Sequence, residues 1–451
     1  MSIFILNKNS LIDNAVIFFL LAFLVRLIFL FFQNPIPENL IEDELLYWNS
    51  GLIYLDKGFL EASITAERML GIFIYSKTLL ALSFKNLKIY LAFQAVIDSL
   101  TCVTIYKTGS IIFPKQKIYI YLSATLSPLM IILTSQVLSE TIFLFLFTIF
   151  LYFSVKIIIE ENQLYYKIAM AGLFLGLATC IRSITYPLVF ISTVPFIIIL
   201  IKKNVFKDKI FIACITFLFF ALLPLSPRIY DNIKNHNTYA LTGQSGPHLA
   251  YWVAPMIISE TKNMNRNDAI KVVNKVAEKY PLTDDYYKND KILRNVGFKV
   301  LSEVNKIDLV YHWAKAGLIN IVAPSILIDK NLRALPHPSY YETGNTLLWL
   351  KLILYNSEYH NYLIYISIAS ITCIFTIISL VIGPLFIFRN QKTIFYLTTL
   401  CILYFLLITG PVLSPKYIFP ILPCIFLYQG ITLFKLVKFI KILTKSDYRK
   451  L

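Results

Sequence analysis

Charged residues are scarce in this chain. Asp, Glu, Lys and Arg together make up 15% of its 451 residues, against about 25% in an ordinary soluble domain. Apolar residues reach 57% and the mean hydropathy is +0.66, which is more apolar surface than a soluble core can bury. The scarcity of charge therefore excludes a soluble enzyme, a nucleic-acid-binding protein and a disordered chain.

Several chemical signatures are missing as well. The six cysteines all lie inside apolar stretches, so no disulfide framework is indicated and the thiols are expected to pack as small apolar groups. The sequence has no P-loop and no dinucleotide-binding motif, and no spacing of His, Cys, Asp and Glu typical of a dedicated metal site. It also has no internal repeat and no low-complexity segment.

Long, continuous apolar runs dominate what is present. Such runs predict helical spans, whereas the strands of a transmembrane barrel would alternate in polarity. We predict an all-α polytopic membrane protein with about ten transmembrane helices. The predicted spans are 15–32, 89–106, 118–135, 138–158, 168–182, 185–201, 210–226, 361–388, 393–409 and 417–434.

The placement of basic residues predicts the orientation. With the N-terminus in the cytoplasm, the cytoplasmic segments hold 18 Lys and Arg residues and the short outer loops hold 6. This difference favours a protein of the cytoplasmic (inner) membrane with both termini in the cytoplasm. The net charge of +16 thus reflects membrane orientation, and no nucleic-acid partner is expected.

This topology divides the chain into three parts. We expect a transmembrane catalytic module at 1–226, with a first outer loop at 33–88 that carries surface helices. An extracytoplasmic, mixed or helical segment at 227–360 follows, and 361–451 supplies the last helices and a basic cytoplasmic tail. The apolar stretch 69–84 is predicted to lie at the membrane surface, and 296–328 is predicted to be helical and partly apolar.

Three consecutive carboxylates, Glu42, Asp43 and Glu44, stand about ten residues beyond the first span. They fit the first turn of a helix, where the helix dipole favours negative charge. They also fit a general base at the membrane face. Composition alone slightly favours the first interpretation.

Four basic residues gather at the predicted outer ends of the spans. Lipid head groups explain any one of them, but together, near the carboxylates, they could bind a lipid phosphate, for which arginine is well suited. The four positions are Arg182, Arg228, Lys234 and Lys416.

Three further charges lie at or within spans. Glu140 opens the fourth span, either as a helix-start carboxylate or as a partner of Arg182. Arg26 and Asp98 lie deeper, where an unpaired charge costs about 2.5–3.5 kcal/mol on insertion scales. We predict that Arg26 and Asp98 pair with each other, in preference to forming a transport pathway.

The order of these motifs resembles a family, the GT-C membrane glycosyltransferases, in the branch of aminoarabinose transferase and the protein O-mannosyltransferases. The resemblance extends from the first span to about residue 255. It is carried by Asp43-Glu44-x-x-Tyr47, Glu67-Arg68, Leu-Ser-Glu140-Thr-Ile-Phe, Gly172 to Arg182, Pro-Arg228 with Asn232, and Ser-Gly246-Pro-His-Leu.

The resemblance implies a polyprenyl-phosphate sugar as donor and a glycan, lipid or protein acceptor that is glycosylated outside the membrane. It implies that Asp43 is the general base and Glu44 a supporting acid. The resemblance suggests that Arg68, Arg182, Arg228 and Lys416 bind the donor phosphate. In some relatives a Glu and an outer-loop His share a divalent metal, and the corresponding residues here are Glu67 and His248. A lone His such as His248 is more often a structural hydrogen-bonding group.

Two other functions remain open from the sequence. A flippase for lipid-linked sugars, or another transporter, would place charges near the bilayer midplane and often has repeated halves. A non-catalytic scaffold would not need the acidic loop and the basic residues to converge. The distinguishing feature is whether Asp43 opens into one cavity with Arg182 or Arg228.

Overall fold

The computed structural model describes residues 10–58, 68–323, 328–338, 343 and 345–447. Within these residues the regular structure is helical and no β-strand occurs. Nine helices of this described part are long and apolar enough to cross a membrane, and a bent pair of helices forms a tenth candidate. The predicted class, an all-α polytopic membrane protein, is confirmed.

The helices follow one another through short connections. In the described ranges the α-helices are α1 Ser10–Gln33, α2 Glu42–Lys57, α3 Leu70–Leu82, α4 Leu87–Ile112, α5 Lys117–Thr125, α6 Pro128–Thr134, α7 Glu140–Ile159, α8 Leu164–Ile181, α9 Tyr186–Ile191, α10 Thr193–Lys202, α11 Lys207–Leu222, α12 Ser226–His236, α13 Ser245–His248, α14 Ala254–Thr261, α15 Arg266–Ala277, α16 Tyr286–Ser302, α17 Lys306–Val322, α18 Lys330–Arg333, α19 Thr346–Tyr355, α20 His360–Asn390, α21 Lys392–Thr409 and α22 Leu422–Asp447.

The third predicted span, 118–135, is a broken helix. Its two halves, α5 and α6, are bent by 47°. The Ser127 hydroxyl accepts the N–H of Met130 at 3.5 Å, and Pro128 occupies the first turn of α6, where its missing N–H costs nothing. Hydropathy predicted one continuous helix because it does not register this local cap.

The deep charges Arg26 and Asp98 form the predicted pair. Arg26 Nε donates to Asp98 Oδ2 at 2.7 Å, and neither side chain is more than 1% exposed. The guanidinium also donates to the carbonyl oxygens of Thr125 and Ala124, at the end of α5, where the last carbonyls of a helix have no N–H four residues further on to bind. The guanidinium of Arg26 therefore contacts both its charged partner and the bend between α5 and α6.

Close packing between α8 and α11 sets the position of the end of α8. A Cβ at Gly172 or Gly176 would lie 2.4 or 2.3 Å from the carbonyl oxygen of Phe217 or Ala221, so α8 and α11 approach backbone to backbone. Small residues four apart allow such approach in membranes, where helix association depends on packing. This contact fixes the end of α8, which Arg182 follows directly.

The segment 227–360, which the sequence predicts to be extracytoplasmic, has a small core of its own. Ile257 of α14, Val273 of α15 and Val296 of α16 are buried together there. The stretch 296–328 does not form one helix, because α16 ends at Ser302 and α17 begins at Lys306. The Asn305 side chain accepts the N–H of Ile307 at 2.8 Å and starts the second helix.

In the first outer loop, α2 and α3 pack against each other. A Cβ at Gly51 would lie 2.5 Å from Ser76 Oγ, and that hydroxyl donates to the carbonyl oxygen of Tyr47 at 2.8 Å. Helix α3 corresponds to the predicted surface helix at 69–84 and is slightly shorter. Its inner face, including Ile72 and Phe73, is buried.

Candidate active site

A polar cavity opens where α2, the start of α3, the start of α7 and the end of α8 meet. Its volume is about 560 Å³, measured with its open mouth. Both Asp43 and Arg182 line it. A cavity shared by Asp43 and Arg182 is the feature that distinguishes the glycosyltransferase from the transporter and the scaffold. The lining residues are Asp43, Tyr47, Arg68, Met69, Ile72, Ser139, Glu140, Ile181, Arg182, Ser183, Ile184, Thr242 and Gln244.

Asp43 faces this cavity from the first turn of α2. Its Oδ1 accepts from Arg68 Nη2 at 2.8 Å, and the two side chains are 45% and 27% exposed. The carboxylate is thus reachable from the cavity while its charge is balanced by a neighbouring guanidinium. An accessible carboxylate held in this way can accept a proton from a hydroxyl that enters the cavity.

A second ion pair closes the opposite wall. Arg182 Nη1 donates to Glu140 Oε1 at 2.8 Å, which confirms the pairing that the sequence left open for Glu140. Ser139 Oγ also donates to this carboxylate, at 3.2 Å. The two residues belong to the start of α7 and the end of α8, so adjacent span ends contribute them.

Gly71 brings the two ion pairs together. A Cβ at this position would lie 2.4 Å from the carbonyl oxygen of Cys180, so α3 begins directly against the end of α8. Arg68 and Arg182 consequently face the same space from two chain segments. Any larger residue at position 71 would push the segments apart.

Arg68 retains an unused donor. Its Nε is buried and has no hydrogen-bond partner among the described residues. A buried donor without a partner costs free energy, because it loses its water and gains nothing in return. An anion bound in the cavity would satisfy it, and phosphate matches a guanidinium particularly well.

Lys416 adds a third positive charge beside the cavity. Its charge acts on Glu140 and also lowers the pKa of Lys330, although burial is the larger cause of that shift. No ion pair of Lys416 occurs among the described residues. Three cations then face the carboxylates of Asp43 and Glu140, which leaves net positive charge for an anionic ligand.

Glu44 points away from this group and is 6% exposed at its side chain. It forms an ion pair with Lys330, from a segment 286 residues further along the chain. Sequence analysis did not single out Lys330, because nothing local to Asp329-Lys330-Asn331 indicates a contact with the first outer loop. The predicted role of Glu44 as a supporting acid remains a prediction.

Arg228 lies outside the cavity lining. Its Nε donates to the carbonyl oxygen of Leu241 at 3.1 Å and its Nη2 donates to the Tyr287 hydroxyl at 3.0 Å. Because Leu241 directly precedes Thr242, which lines the cavity, Arg228 supports the wall from behind. The structure does not bring Arg228 together with Arg68 and Arg182.

Tyr47 is a cavity residue that the sequence analysis named only as part of the Asp43-Glu44-x-x-Tyr47 motif. It lies one helical turn after Asp43, and burial raises the pKa of its hydroxyl to about 12. It therefore stays protonated at neutral pH and can donate a hydrogen bond to a ligand. The Asp43-x-x-x-Tyr47 spacing was the available signal, since residues four apart share a helix face.

The described residues do not assemble a metal site. No three His, Cys, Asp or Glu side chains come together in that part of the chain. Burial lowers the pKa of His248, so its imidazole is neutral at physiological pH, and Gln244, one turn earlier, lines the cavity. Glu67, the other predicted ligand, lies outside the described residues.

Comparisons with known proteins gave one similar structure. No family model matches the chain, and no curated protein matches it. Among solved structures it is similar to the crystal structure of ArnT from Cupriavidus metallidurans in the apo state, with 9% sequence identity and a TM-score of 0.35. The match covers 93% of this chain and 77% of that one. The functional assignment therefore rests on the residues of the cavity and not on this similarity.

Proposed function

We propose that this protein is an integral membrane glycosyltransferase of the GT-C type. It moves a sugar from a polyprenyl-phosphate donor to an acceptor hydroxyl on the extracytoplasmic side of the cytoplasmic membrane. One observation carries the proposal: an accessible carboxylate, Asp43, and the guanidinium groups of Arg68 and Arg182 line the same cavity. This is the combination that sugar transfer from a phosphate requires.

The reaction assigns a role to each wall of the cavity. The acceptor hydroxyl loses its proton to Asp43 as its oxygen forms a bond to the anomeric carbon. The bond between that carbon and the phosphate oxygen breaks, and the electron pair leaves with the phosphate. Attack from the face opposite the leaving group inverts the anomeric centre.

Fixed cations stabilise the negative charge of the departing phosphate. Arg68, Arg182 and Lys416 are proposed for this role. Arg68 offers its Nε, which has no partner among the described residues, and Arg182 lines the same cavity. Arg228 supports this site indirectly, through the backbone that leads to Thr242.

The ion pair between Arg68 and Asp43 suggests how donor binding prepares the base. A phosphate in the cavity competes with Asp43 for the guanidinium of Arg68. As Arg68 turns to the phosphate, the Asp43 carboxylate becomes free to accept the acceptor proton. Transfer thus depends on the donor being bound first.

The position of the cavity suits a lipid-borne donor. Glu140 begins one candidate span and Arg182 directly follows another, so the cavity lies at the ends of spans. A donor whose hydrocarbon chain stays in the bilayer can present its phosphate at this depth. An acceptor is proposed to enter the same polar cavity from the aqueous side.

The test is transfer by the purified protein in lipid nanodiscs. A panel of undecaprenyl-phosphate sugars is offered with a mixture of glycan, lipid and peptide acceptors from the cell envelope, and products are identified by mass spectrometry. Transfer that needs Asp43 supports the proposal, and the Asp43→Asn protein is the matched control. Comparing envelope glycans of a deletion strain with those of its parent identifies the sugar.

A different result would support the transporter alternative. In sealed vesicles, movement of an intact undecaprenyl-phosphate sugar across the bilayer, without any transfer product, would contradict the glycosyltransferase assignment. The deep charges give this alternative no support, because Arg26 and Asp98 pair with each other and the guanidinium of Arg26 also donates to backbone carbonyls.

A further inference from the structure

The backbone is strained immediately before the proposed base. Glu42 has a φ of 48°, in the left-handed region that residues with a side chain seldom adopt. Glu42 is neither glycine nor asparagine, the residues that tolerate this conformation best. Such a conformation persists only where surrounding contacts hold it, and it often occurs at functional sites.

The contacts that hold this turn come from far along the chain. Lys330 pairs with Glu44 and also donates to the carbonyl oxygen of Asn39 at 3.1 Å. The neighbouring Asp329 accepts from Gln33 Nε2 at 2.7 Å. Lys330 therefore contacts the chain on both sides of Glu42, and the contact through Gln33 anchors the same segment to the end of the first span.

We infer that Lys330 is a positioning residue, which clamps the strained turn at Glu42 so that Asp43 faces the cavity. The inference rests on the proposed function for its catalytic consequence, but the clamp itself is a property of the fold. The described segment 328–338 has helix α18 of only four residues. Ile328 packs into the main hydrophobic core, and Asp329 and Lys330 add the polar contacts to Gln33 and Asn39.

Electrostatics add to the role of this lysine. Three successive carboxylates repel one another, and a neighbouring cation offsets that repulsion. Arg68 balances Asp43, and Lys330 balances the buried Glu44. Because Lys330 forms an ion pair with Glu44, the guanidinium of Arg68 remains available to Asp43 and to the donor phosphate.

Hydrogen exchange measures the clamp without any assay of transfer. In nanodiscs, Lys330→Gln is expected to speed the exchange of the amides at 41–47 about tenfold, since losing the clamp opens this turn locally. Lys330→Arg should stay close to wild type, because it keeps the charge and the reach. Lys85→Gln, which removes the 3.1 Å pair of Lys85 with Asp56 near the other end of α2, should leave 41–47 unchanged.

A second substitution separates backbone strain from charge. Asn adopts the left-handed conformation more readily than Glu, so Lys330→Gln with Glu42→Asn should regain slow exchange. Lys330→Gln with Glu42→Gln loses the same charge but gains no conformational relief, and it should stay fast. Unchanged exchange in Lys330→Gln, or equal recovery in both double variants, would overturn the inference.

The catalytic consequence is read from transfer of sugar from an undecaprenyl-phosphate donor. Lys330→Gln should lower kcat with little change in the KM for the donor, and Glu42→Asn should restore part of kcat in that background. A raised KM with unchanged exchange would contradict positioning and make Lys330 a donor contact. If wild type transfers nothing, the proposed function fails, while the exchange experiment still decides on the clamp.

Discussion

Replacing Asp43 with Asn separates chemistry from stability at the proposed base. Asn keeps the size of the side chain and can still hydrogen-bond, but it lacks the oxygen that accepts a proton. The ion pair lost with Arg68 joins side chains that are 45% and 27% exposed. Solvent screens such a pair, so its loss should cost at most about 1 kcal/mol of stability.

The expected loss of activity is much larger. A positioned general base contributes about 10²–10⁴-fold to the rate, which corresponds to about 3–5 kcal/mol of activation free energy. A fall of this size with a nearly unchanged melting temperature cannot come from unfolding. The defect should appear in single turnover with donor already bound, because it lies in the chemical step.

Glu42→Gln is the matched control for this measurement, and Glu44→Gln tests the other neighbouring carboxylate. Glu42→Gln should be mild, since it changes a neighbouring charge and leaves Asp43 in place. Near-normal transfer by Asp43→Asn, together with loss of transfer in Glu44→Gln, would move the base by one residue. Near-normal transfer in all three variants would reduce the carboxylates to a helix start and refute the proposed chemistry.

Further predictions test the phosphate site, the topology and the packing. Arg182→Ala should impair use of limiting donor more than Arg182→Lys, which keeps the charge and loses the fork; equal activity in both variants and wild type would leave Arg182 a lipid contact. In intact spheroplasts a Cys at Ser302, which is exposed on α16, should react with an impermeant thiol reagent, and a Cys at Asp208 should react only after lysis; the reverse pattern would invert the topology. Gly71→Ala should cost about 1–3 kcal/mol of stability, as seen in the melting temperature, whereas Gly317→Ala, with its nearest neighbour 3.7 Å away, should be tolerated.

The sequence by itself determined the membrane class and most helix positions. Hydropathy is a local property of about twenty residues, and a bilayer imposes it directly on each span. Even the shortest predicted span, 168–182, corresponds to a helix, Leu164–Ile181. The pairing of Arg26 with Asp98 also followed from sequence, because a charge deep in a membrane needs a partner and few were available.

Only the tertiary structure decided which of the charged outer residues meet. Sequence placed Arg68, Arg182 and Arg228 at the same side of the membrane, but Gly71 brings the first two together and Leu241 and Tyr287 engage the third. The contact of Lys330 with Glu44 spans 286 residues and leaves no local signal. Such contacts depend on how the helices pack and on which distant segments meet. No local pattern in the sequence records either.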